Sequence, residues 1–294
     1  MTATQPLVTE ITALAAGRAA AGVFRRNRLF QLGAALVAIV VAAAILAPWI
    51  APFDPLIGDL KDAYLTPPGG KYLLGTDSQG RDVLSRVLYG ARISLAVGII
   101  SQAVSVTFGV TLGLISGYYG RWVDAFIMRL ADVTLAFPTL LLLIAVAAAV
   151  QPSLLVVFLI IGAVGWAGMA RLVRGQVLIL RNAEYVTAAR ALGARNRRIL
   201  LRHLLPNVRA QVIVAATLGM AGAIMAEAAL SFIGLGAQPP TPSWGAMVAD
   251  GRDLLRVAPW VSFAPGVAIG VAVLGFNLLG DAIREGWDPR LRSR

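Results

Sequence analysis

The chain has 294 residues, a formal net charge of +11 and a hydrophobic fraction of 58%, while only 14% of its residues are charged. Soluble domains have about a quarter of their residues charged, so this composition indicates an integral membrane protein. Cysteine is absent and His203 is the one histidine, which excludes thiolate sites and His-cluster metal sites and argues against a His-based catalytic triad. Because Lys and Arg hold membrane-protein loops in the cytoplasm, the positive charge predicts topology and no nucleic-acid partner.

Six apolar stretches are long enough for spanning helices, which need about 20 residues each. The third and fourth come from one uncharged run that Gln151, Pro152 and Ser153 divide, and Pro138 is expected to kink the third. The first is too long and begins too late for a cleaved signal peptide. We therefore predict an all-α membrane protein with transmembrane helices near 29–50, 93–118, 124–149, 153–172, 211–234 and 258–280.

The distribution of basic residues predicts the orientation. If the N-terminus lies in the cytoplasm, the cytoplasmic segments hold 18 of the 26 Lys and Arg residues and the outer segments hold seven, which is the bias that cytoplasmic loops show. Both termini are then cytoplasmic. The predicted organisation is a cytoplasmic segment 1–28, a first span 29–50, an extracytoplasmic segment 51–92 with a short interfacial helix, a five-helix core 93–281 that includes a cytoplasmic loop 173–209 and an outer loop 235–257, and a cytoplasmic tail 282–294.

The cytoplasmic loop between the fourth and fifth spans is rich in arginine. Nine of the 26 basic residues lie between Arg171 and Arg209, against one acid, Glu184. Charge alone fits a topology anchor that also binds anionic lipid. The order of residues indicates more, because helix formers up to Leu192 are followed by Gly193 at a helix-terminating position.

A second short helix is predicted over 195–204, ended by Pro206, with Asn207 capping the next span. The expected result is a helix, a tight turn and a second helix, lying across the membrane face. Ala188 and Ala189 place small side chains beside the bend, and small side chains let another backbone approach closely. We interpret the loop as a surface to which a partner docks.

The first outer segment carries turn and cap signals over residues 73–95. Gly75 and Gly80 mark turns, and Asp82 is placed to cap a helix that begins at Val83. Asp77 and Asp82 could also ligate calcium, but too few other oxygen ligands lie at suitable spacing. Capping is the better interpretation, and no metal site is predicted.

The second outer segment covers residues 227–248. Its prolines, Pro239, Pro240 and Pro242, exclude a regular helix where they lie. Trp244 is expected at the membrane interface, where tryptophan is enriched.

Four ionisable residues lie on or near predicted spans, with Asp124, Arg129 and Asp132 in the third and Glu227 late in the fifth. Such groups are costly in a membrane and normally pair or line a pathway. The spacing of Arg129 and Asp132 suits an ion pair on one helix face. Two interpretations stay open, a structural pair that holds the bundle and the lining of a water-filled path. Glu227 is near the outer surface and is expected to be only partly desolvated.

The cytoplasmic loop resembles the signature of permease subunits in binding-protein-dependent ABC importers. The family signature begins Glu-Ala-Ala, and this chain has Thr187, Ala188 and Ala189 at those positions. Glu184 lies three residues before Thr187 and belongs to an EYV start that is common in the peptide branch. The resemblance implies that residues 184–207 dock in a groove of an ATPase and transmit its motion. The matching positions are Thr187, Ala188, Ala189, Gly193, Leu205 and Pro206.

The outer segments resemble the dipeptide/oligopeptide/nickel branch of these permeases, in which GTD–GRD–SR–GxRxSL precedes the second span. The resemblance implies a type I importer permease fold, with membrane lipid around it. It also implies four kinds of partner component: a second homologous permease, two cytoplasmic ATPase subunits or domains that bind ATP and Mg²⁺, and an extracytoplasmic binding protein. The matching outer positions are Gly75, Asp77, Gly80, Arg81 and Asp82.

The chain itself is expected to be non-catalytic and free of cofactors. A P-loop needs Gly-Lys-Ser/Thr, and neither Lys61 nor Lys71 fits that pattern. The cargo implied by the resemblance is a dipeptide or oligopeptide, or a related ligand such as a nickel complex, glutathione or haem. The alternatives are an ion-gradient-driven secondary transporter, which leaves the docking-like loop unexplained, and a membrane enzyme, for which catalytic residues are lacking.

Overall fold

The computed structural model describes residues 27–150 and 153–287, and within these residues it contains helices, turns and two isolated β-bridges but no strand. The all-α class is therefore confirmed for this part of the chain. Most of the predicted N-terminal segment, the dividing residues Gln151 and Pro152, and residues 288–294 of the predicted tail lie outside it. The described helices are α1 Arg28–Ile50, α2 Val83–Tyr119, α3 Arg121–Ala136, α4 Thr139–Ala148, α5 Leu154–Leu180, α6 Glu184–Ala191, α7 Asn196–Phe232, α8 Trp244–Gly251 and α9 Trp260–Trp287.

Five of the described helices, α1, α2, α5, α7 and α9, are long and apolar enough to cross a membrane, and α3 with α4 gives a sixth if the bent pair is one span. The pair bends by 89° at Phe137 and Pro138, so the prediction of one kinked helix over 124–149 is wrong in degree. Proline lacks an N–H and disfavours helical backbone at the residue before it. Phe137 accordingly adopts an extended conformation, and the helix axis changes direction there.

The helices α2 and α5 approach closely because glycines of α2 face α5. A Cβ at Gly113 of α2 would stand 2.6 Å from the carbonyl oxygen of Ala170 on α5, so a larger residue would force the helices apart. Small residues at one-turn spacing are the usual means by which membrane helices pack tightly. The facing residues are Gly109 with Met169, Gly113 with Val173, and Gly117 with Val177.

The helix α2 runs without interruption for 37 residues, about 55 Å at 1.5 Å per residue. The predicted division into a short interfacial helix and a span from residue 93 is wrong, because the helix continues through Gly90 without a break. The two ends of α2 serve here to name the two ends of the helical bundle. The α8 end comprises residues 51–82 and 233–259, next to the first turns of α2, and the α6 end comprises residues 181–204, next to its last turn.

Residues 51–82 form an irregular segment that packs on the first turns of α2. The backbone N–H of Phe53 donates to Ser85 Oγ at 3.1 Å, and Trp260 Nε1 donates to the carbonyl oxygen of Thr76 at 3.0 Å. Trp244 is buried, with 2% of its surface exposed, so its predicted position at the membrane interface is wrong. The prolines before it interrupt helical structure as expected, and Ser243 then caps α8, a helix that the sequence did not predict and that turns Trp244 inward.

The helices α1 and α9 lie side by side. A Cβ at Gly33 of α1 would be 2.7 Å from the backbone nitrogen of Leu279 on α9. Asn27 caps α1 by accepting from the N–H of Leu29 at 2.8 Å, and its amide donates to Glu285 at 3.1 Å. The start of α1 and the end of α9 are therefore adjacent. A cavity of about 530 Å³ that contacts both Gln176 near the end of α5 and Arg284 near the end of α9 places this junction towards the α6 end.

Candidate functional site

The helix α6 has eight residues and projects from the bundle, with Val186 as its one buried residue. Gly193 ends it in the left-handed region, with φ of +79°. The N–H of Gly193 donates to Arg190 and that of Ala194 donates to Ala189, both at 3.0 Å, which is the bond pair of a Schellman motif. The predicted helix end at Gly193 is confirmed.

One side of α6 is buried against the bundle and the other is exposed. Val186 is 0% exposed and packs into a cluster with residues of α2, α5 and α7. Ala188 is exposed, and Leu192, just past the helix, is 89% exposed. A displacement of α6 must therefore move the cluster, which contains Leu114, Met169, Val173, Val177, Val186, Ile199, Leu204 and Val208.

Three contacts hold α6 and its flanks against the last turn of α2. Arg181, before α6, donates to the carbonyl oxygen of Gly117 at 2.9 Å. The hydroxyl of Tyr118 donates to Asn196 at 2.8 Å, and the guanidinium of Arg190 lies 5.9 Å from the centre of the Tyr118 ring. The segment between α5 and α7 is thus anchored on both sides of its exposed face.

The hydroxyl of Thr187 donates to the carbonyl oxygen of Ala183 at 3.3 Å, within its own helix. It gives the exposed face no charge, whereas a glutamate at this position would. Glu184, in the first turn of α6, is exposed and lies where a carboxylate is favoured by the helix dipole. Around Ala188 the surface of α6 is therefore defined by the shape of small residues.

The helix α7 continues through Pro206, where we predicted that the loop helix would stop. The six residues Ile199–Leu204 form π-helical turns just before the proline, and Leu205 is half-buried beside it. Proline lacks an N–H and clashes with the carbonyl four residues earlier, and the wider π turn accommodates it. Asn207 does not cap a new helix, since its amide donates to the carbonyl oxygen of His203 at 2.6 Å. Residues 196–204 at the α6 end and the fifth span are consequently one helix of 37 residues.

The charged residues of α3 pair with α5. Asp124 accepts two hydrogen bonds from Arg174, at 2.5 and 2.7 Å, and Asp132 accepts one from Arg171 at 2.7 Å. The predicted pair of Arg129 with Asp132 is wrong, and Arg129 is exposed. The sequence could not reveal this, because the arginines that reach the aspartates lie about 40 to 50 residues away along the chain.

Glu227 is 0% exposed, so the expected partial desolvation is wrong. Its Oε1 accepts from Ser231 at 2.7 Å, and its Oε2 has no hydrogen-bond partner among the described residues. The cause is α8. A Cβ at Gly245 would be 2.5 Å from the Cα of Ala228, which shows that α8 lies directly on this stretch of α7 and covers the carboxyl group.

The outer motif forms two tight turns followed by a helix cap, as predicted. Gly75 and Gly80 have φ of +75° and +70°. Asp77 is 3% exposed. Its carboxylate accepts a hydrogen bond from the backbone N–H of Arg81 at 3.0 Å and another from Nε of the same arginine at 2.8 Å. Asp82 accepts from the N–H of Ser85 at 2.7 Å and so caps α2. The carboxylates serve the turn and the cap, in agreement with the interpretation preferred over calcium binding.

Arg86 belongs to this site but was missed by the sequence analysis. Its side chain is buried, with 3% of the residue exposed. Nε lies 3.4 Å from the carboxylate of Asp77, and Nη1 donates to the carbonyl oxygen of Pro55 at 3.2 Å. Nη2 lies 3.9 Å from the carboxylate of Asp250. The available signal was its spacing of four residues from the cap at Asp82, which puts both on one face of α2.

A family model described as "Binding-protein-dependent transport system inner membrane component" matches residues 109–293, more than half of the chain. The chain belongs to this family. A second model, "N-terminal TM domain of oligopeptide transport permease C", matches residues 17–68. The protein is therefore a permease of the peptide branch of ABC importers and a multi-pass protein of the cytoplasmic membrane. Permease subunits of such importers are themselves non-catalytic, and the binding-protein-dependent class works with ATPase and binding-protein partners.

Relatives named as peptide or glutathione permeases match nearly the whole chain. The chain is 43% identical to a "Dipeptide transport system permease protein DppC" from Alkalihalophilus pseudofirmus, over 98% of this chain and 94% of that one. It is 43% identical to a "Di/tripeptide transport system permease protein DppC" from Pseudomonas aeruginosa, over 92% and 91%. It is 42% identical to a "Glutathione transport system permease protein GsiD" from Pectobacterium atrosepticum, over 92% and 90%.

The permease also resembles a solved structure titled "Inward facing conformations of the MetNI methionine ABC transporter". The TM-score is 0.56 at 18% identity, covering 69% of this chain and 97% of that one. At this identity the likeness concerns the fold alone. It is the helical fold of an ABC importer permease.

Proposed function

We propose that the permease forms one half of the pore of an ATP-driven importer of short peptides. A second homologous permease supplies the other half, and six spans per chain give the type I importer fold. Two cytoplasmic ATPase subunits or domains bind ATP and Mg²⁺, and an extracytoplasmic binding protein delivers the cargo. The chain contributes no cofactor and no catalytic group. The names of its relatives, which refer to dipeptides, di/tripeptides and glutathione, favour short peptides as the cargo.

The α6 end faces the cytoplasm in this proposal, and so do both termini. Arginines concentrate at this end, and a cavity of about 340 Å³ there has Arg195, Arg197, Arg198 and Arg202 in its wall. Basic residues near span ends favour the cytoplasmic side. The contact of Asn27 with Glu285 brings the two ends of the described chain together on that same side.

The exposed face of α6 docks on the ATPase. The observation that carries this proposal is the two-sided character of α6: Val186 is buried in the bundle core while Ala188 and Leu192 face away from it. A groove that holds this face can displace α6 only together with α7, which is continuous from Asn196 to Phe232. Closure of the ATPases on ATP is thereby passed to the α8 end, and hydrolysis reverses the movement.

The carboxylate that the signature resembled by this loop has at position 187 is not needed for this docking. The Thr187 hydroxyl bonds within its own helix, so complementarity of shape around Ala188 and the turn at Gly193 accounts for the contact. Because no heavy atom of the described residues, apart from the two chain neighbours of Gly193, lies within 4 Å of its Cβ position, the turn leaves open space into which a partner surface fits.

The cargo leaves through a cavity of about 530 Å³ between α5, α7 and α9. Its wall combines apolar residues with the amides of Gln176 and Gln211, and Gln211 Oε1 is buried without a partner among the described residues. Amide groups hydrogen-bond a peptide backbone regardless of its side chains. This lining suits a path that admits many short peptides.

The test is uptake of radiolabelled alanyl-alanine by proteoliposomes that contain the permease, its partner permease and the ATPases, with the binding protein added outside. ATP inside the vesicles should be required, and an uncoupler should have no effect. Uptake that persists without ATP and collapses with the uncoupler would instead establish an ion-gradient-driven transporter.

A further inference from the structure

A second cavity, of about 390 Å³, lies at the α8 end between the tip of α7, α8 and the turn before α2. Its volume lies in the range of small-molecule sites, and it is separate from the cavity at the α6 end. Its wall is polar. Its charged residues and amides are Gln79, Arg81, Arg86, Gln238, Asp250 and Arg252. Of these, Arg252 is exposed and paired with Asp253 at 3.0 Å.

Arg81 is 5% exposed, and it lines this cavity. Its side chain has one acceptor among the described residues, because Nε donates to Asp77 at 2.8 Å. A guanidinium has five N–H donors in a planar fork. The remaining donors of Arg81 therefore have no acceptor in the described part of the chain, although the side chain is almost wholly withdrawn from the surface.

Arg86 is a second buried cation in the same wall. It shares Asp77 with Arg81, at 3.4 Å from Nε, and its Nη2 is 3.9 Å from Asp250, which is too long for a hydrogen bond. Asp250 has 48% of its side chain exposed. Two buried guanidinium groups thus share one buried carboxylate and one distant, half-exposed carboxylate, and buried charges are stable only when they are well paired.

We propose that this cavity binds the C-terminal carboxylate of a short peptide through Arg81 and Arg86. The inference rests on the proposed peptide import and adds a subsite to it. A carboxylate matches the planar fork of arginine with two parallel hydrogen bonds. The amides of Gln79 and Gln238 lie in the same wall and can hydrogen-bond the peptide backbone. The incoming carboxylate replaces Asp250 as the partner of Arg86 Nη2, which lies 3.9 Å from Asp250.

The probe is alanyl-alanine, compared with its C-terminal amide. Binding is measured by isothermal titration on the complete transporter in lipid nanodiscs, without the extracytoplasmic binding protein. The free acid should bind at least tenfold more tightly than the amide, a contrast that needs no substitution in the protein. Arg81→Gln should abolish the contrast, and Asp250→Asn should tighten binding of the free acid because Arg86 loses its competing carboxylate.

The matched control is Arg256→Gln, which removes an exposed arginine at the same end and outside the cavity wall. It should retain the tenfold contrast. If Arg81→Gln does not fold, Arg81→Lys keeps the pair with Asp77 and loses the fork, and it should reduce the contrast. Equal binding of acid and amide to the unaltered transporter would overturn the proposal.

The failure of this proposal is distinguishable from failure of the import function. If acid and amide bind equally while ATP still drives alanyl-alanine uptake, the subsite is wrong and the import function stands. If a preference for the acid is found only when the binding protein is present, the carboxylate is recognised by that protein, and the proposal is again overturned.

Discussion

Trp244 of α8 donates its indole N–H to the carbonyl oxygen of Val87 on α2 at 2.9 Å, and its ring occupies the space beside Gly90. A Cβ at Gly90 would stand 2.9 Å from Trp244 Cδ1. The contact joins the loop after α7 to the first turns of α2. It thereby fixes the wall of the cavity of about 390 Å³ at the α8 end and the cover over Glu227.

Replacing Gly90 with alanine should loosen this contact. The new methyl group must displace Trp244, and overpacking of this kind costs about 1–3 kcal/mol. The matched control is Gly98→Ala on the same helix, because the nearest atom to a Cβ there is 3.6 Å away. We expect a lower melting temperature in detergent for Gly90→Ala and an unchanged or raised one for Gly98→Ala. Equal melting temperatures would show that Trp244 moves without cost.

Substitution of Gly193 should uncouple ATP hydrolysis from transport. A β-branched residue is strained at φ of +79° by more than the roughly 1–2 kcal/mol that ordinary residues incur in this region, so Gly193→Val should tilt α6. Asparagine tolerates the left-handed region, so Gly193→Asn is the matched control and should retain coupling. The measurement is the number of peptides imported per ATP hydrolysed in proteoliposomes. A Gly193→Val protein with an unaltered ratio would argue against a role of the turn in docking.

The pair between Asp124 and Arg174 should matter more than the pair between Asp132 and Arg171. The first is bidentate and half-buried, whereas both side chains of the second are about half exposed, at 55% and 51%. Loss of a hydrogen bond to a charged group costs about 1.5–3 kcal/mol, and an exposed pair contributes about 0–1 kcal/mol. Asp124→Asn should therefore lower the melting temperature more than Asp132→Asn does. The reversed order would mean that α3 is held to α5 in another way.

Asp250 should make stability depend on pH. Burial raises the pKa of Asp250 from its ordinary value of 3.8, Arg86 and Arg81 offset part of the rise, and Asp77 adds to it. Since the folded state holds this proton more tightly than the unfolded state, the stabilising contribution is complete below pH 3.8 and is lost as the pH rises through the raised value. Asp250→Asn should gain in melting temperature, relative to the unaltered protein, between pH 4 and pH 7. A difference that stays constant over this range would contradict the assignment.

The sequence predicted the features that depend on local chemistry. Gly193 ends α6 and Asp82 caps α2, because a left-handed glycine and an N-cap aspartate act within a few residues of themselves. Apolar length located the spanning helices. Helix ends were less accurate, since Pro206 was taken as a stop although π-helical turns carry the helix past it.

Contacts between distant segments could not be predicted in the same way. Arg174 reaches Asp124 across 50 residues of sequence, and nothing in the pattern around Asp124 names that partner. The burial of Glu227 depends on α8, whose existence follows from the turn that the prolines make and from the fit of Trp244 beside Gly90. The sequence indicated only that Arg86 lies one helical turn from Asp82. Its burial and its contacts with Pro55 and Asp250 depend on segments that are distant in the chain.

The central claim, that the exposed face of α6 docks on the ATPase, is tested most directly by cross-linking. The chain has no cysteine, so a single cysteine can be placed without other changes. Ala188→Cys on α6 is compared with Gln79→Cys, which is exposed at the α8 end. In the assembled transporter, a short thiol–amine cross-linker should join Ala188→Cys to the ATPase subunit and leave Gln79→Cys unlinked to it. An Ala188→Cys protein that stays unlinked and remains fully open to thiol labelling in the active complex would contradict the account.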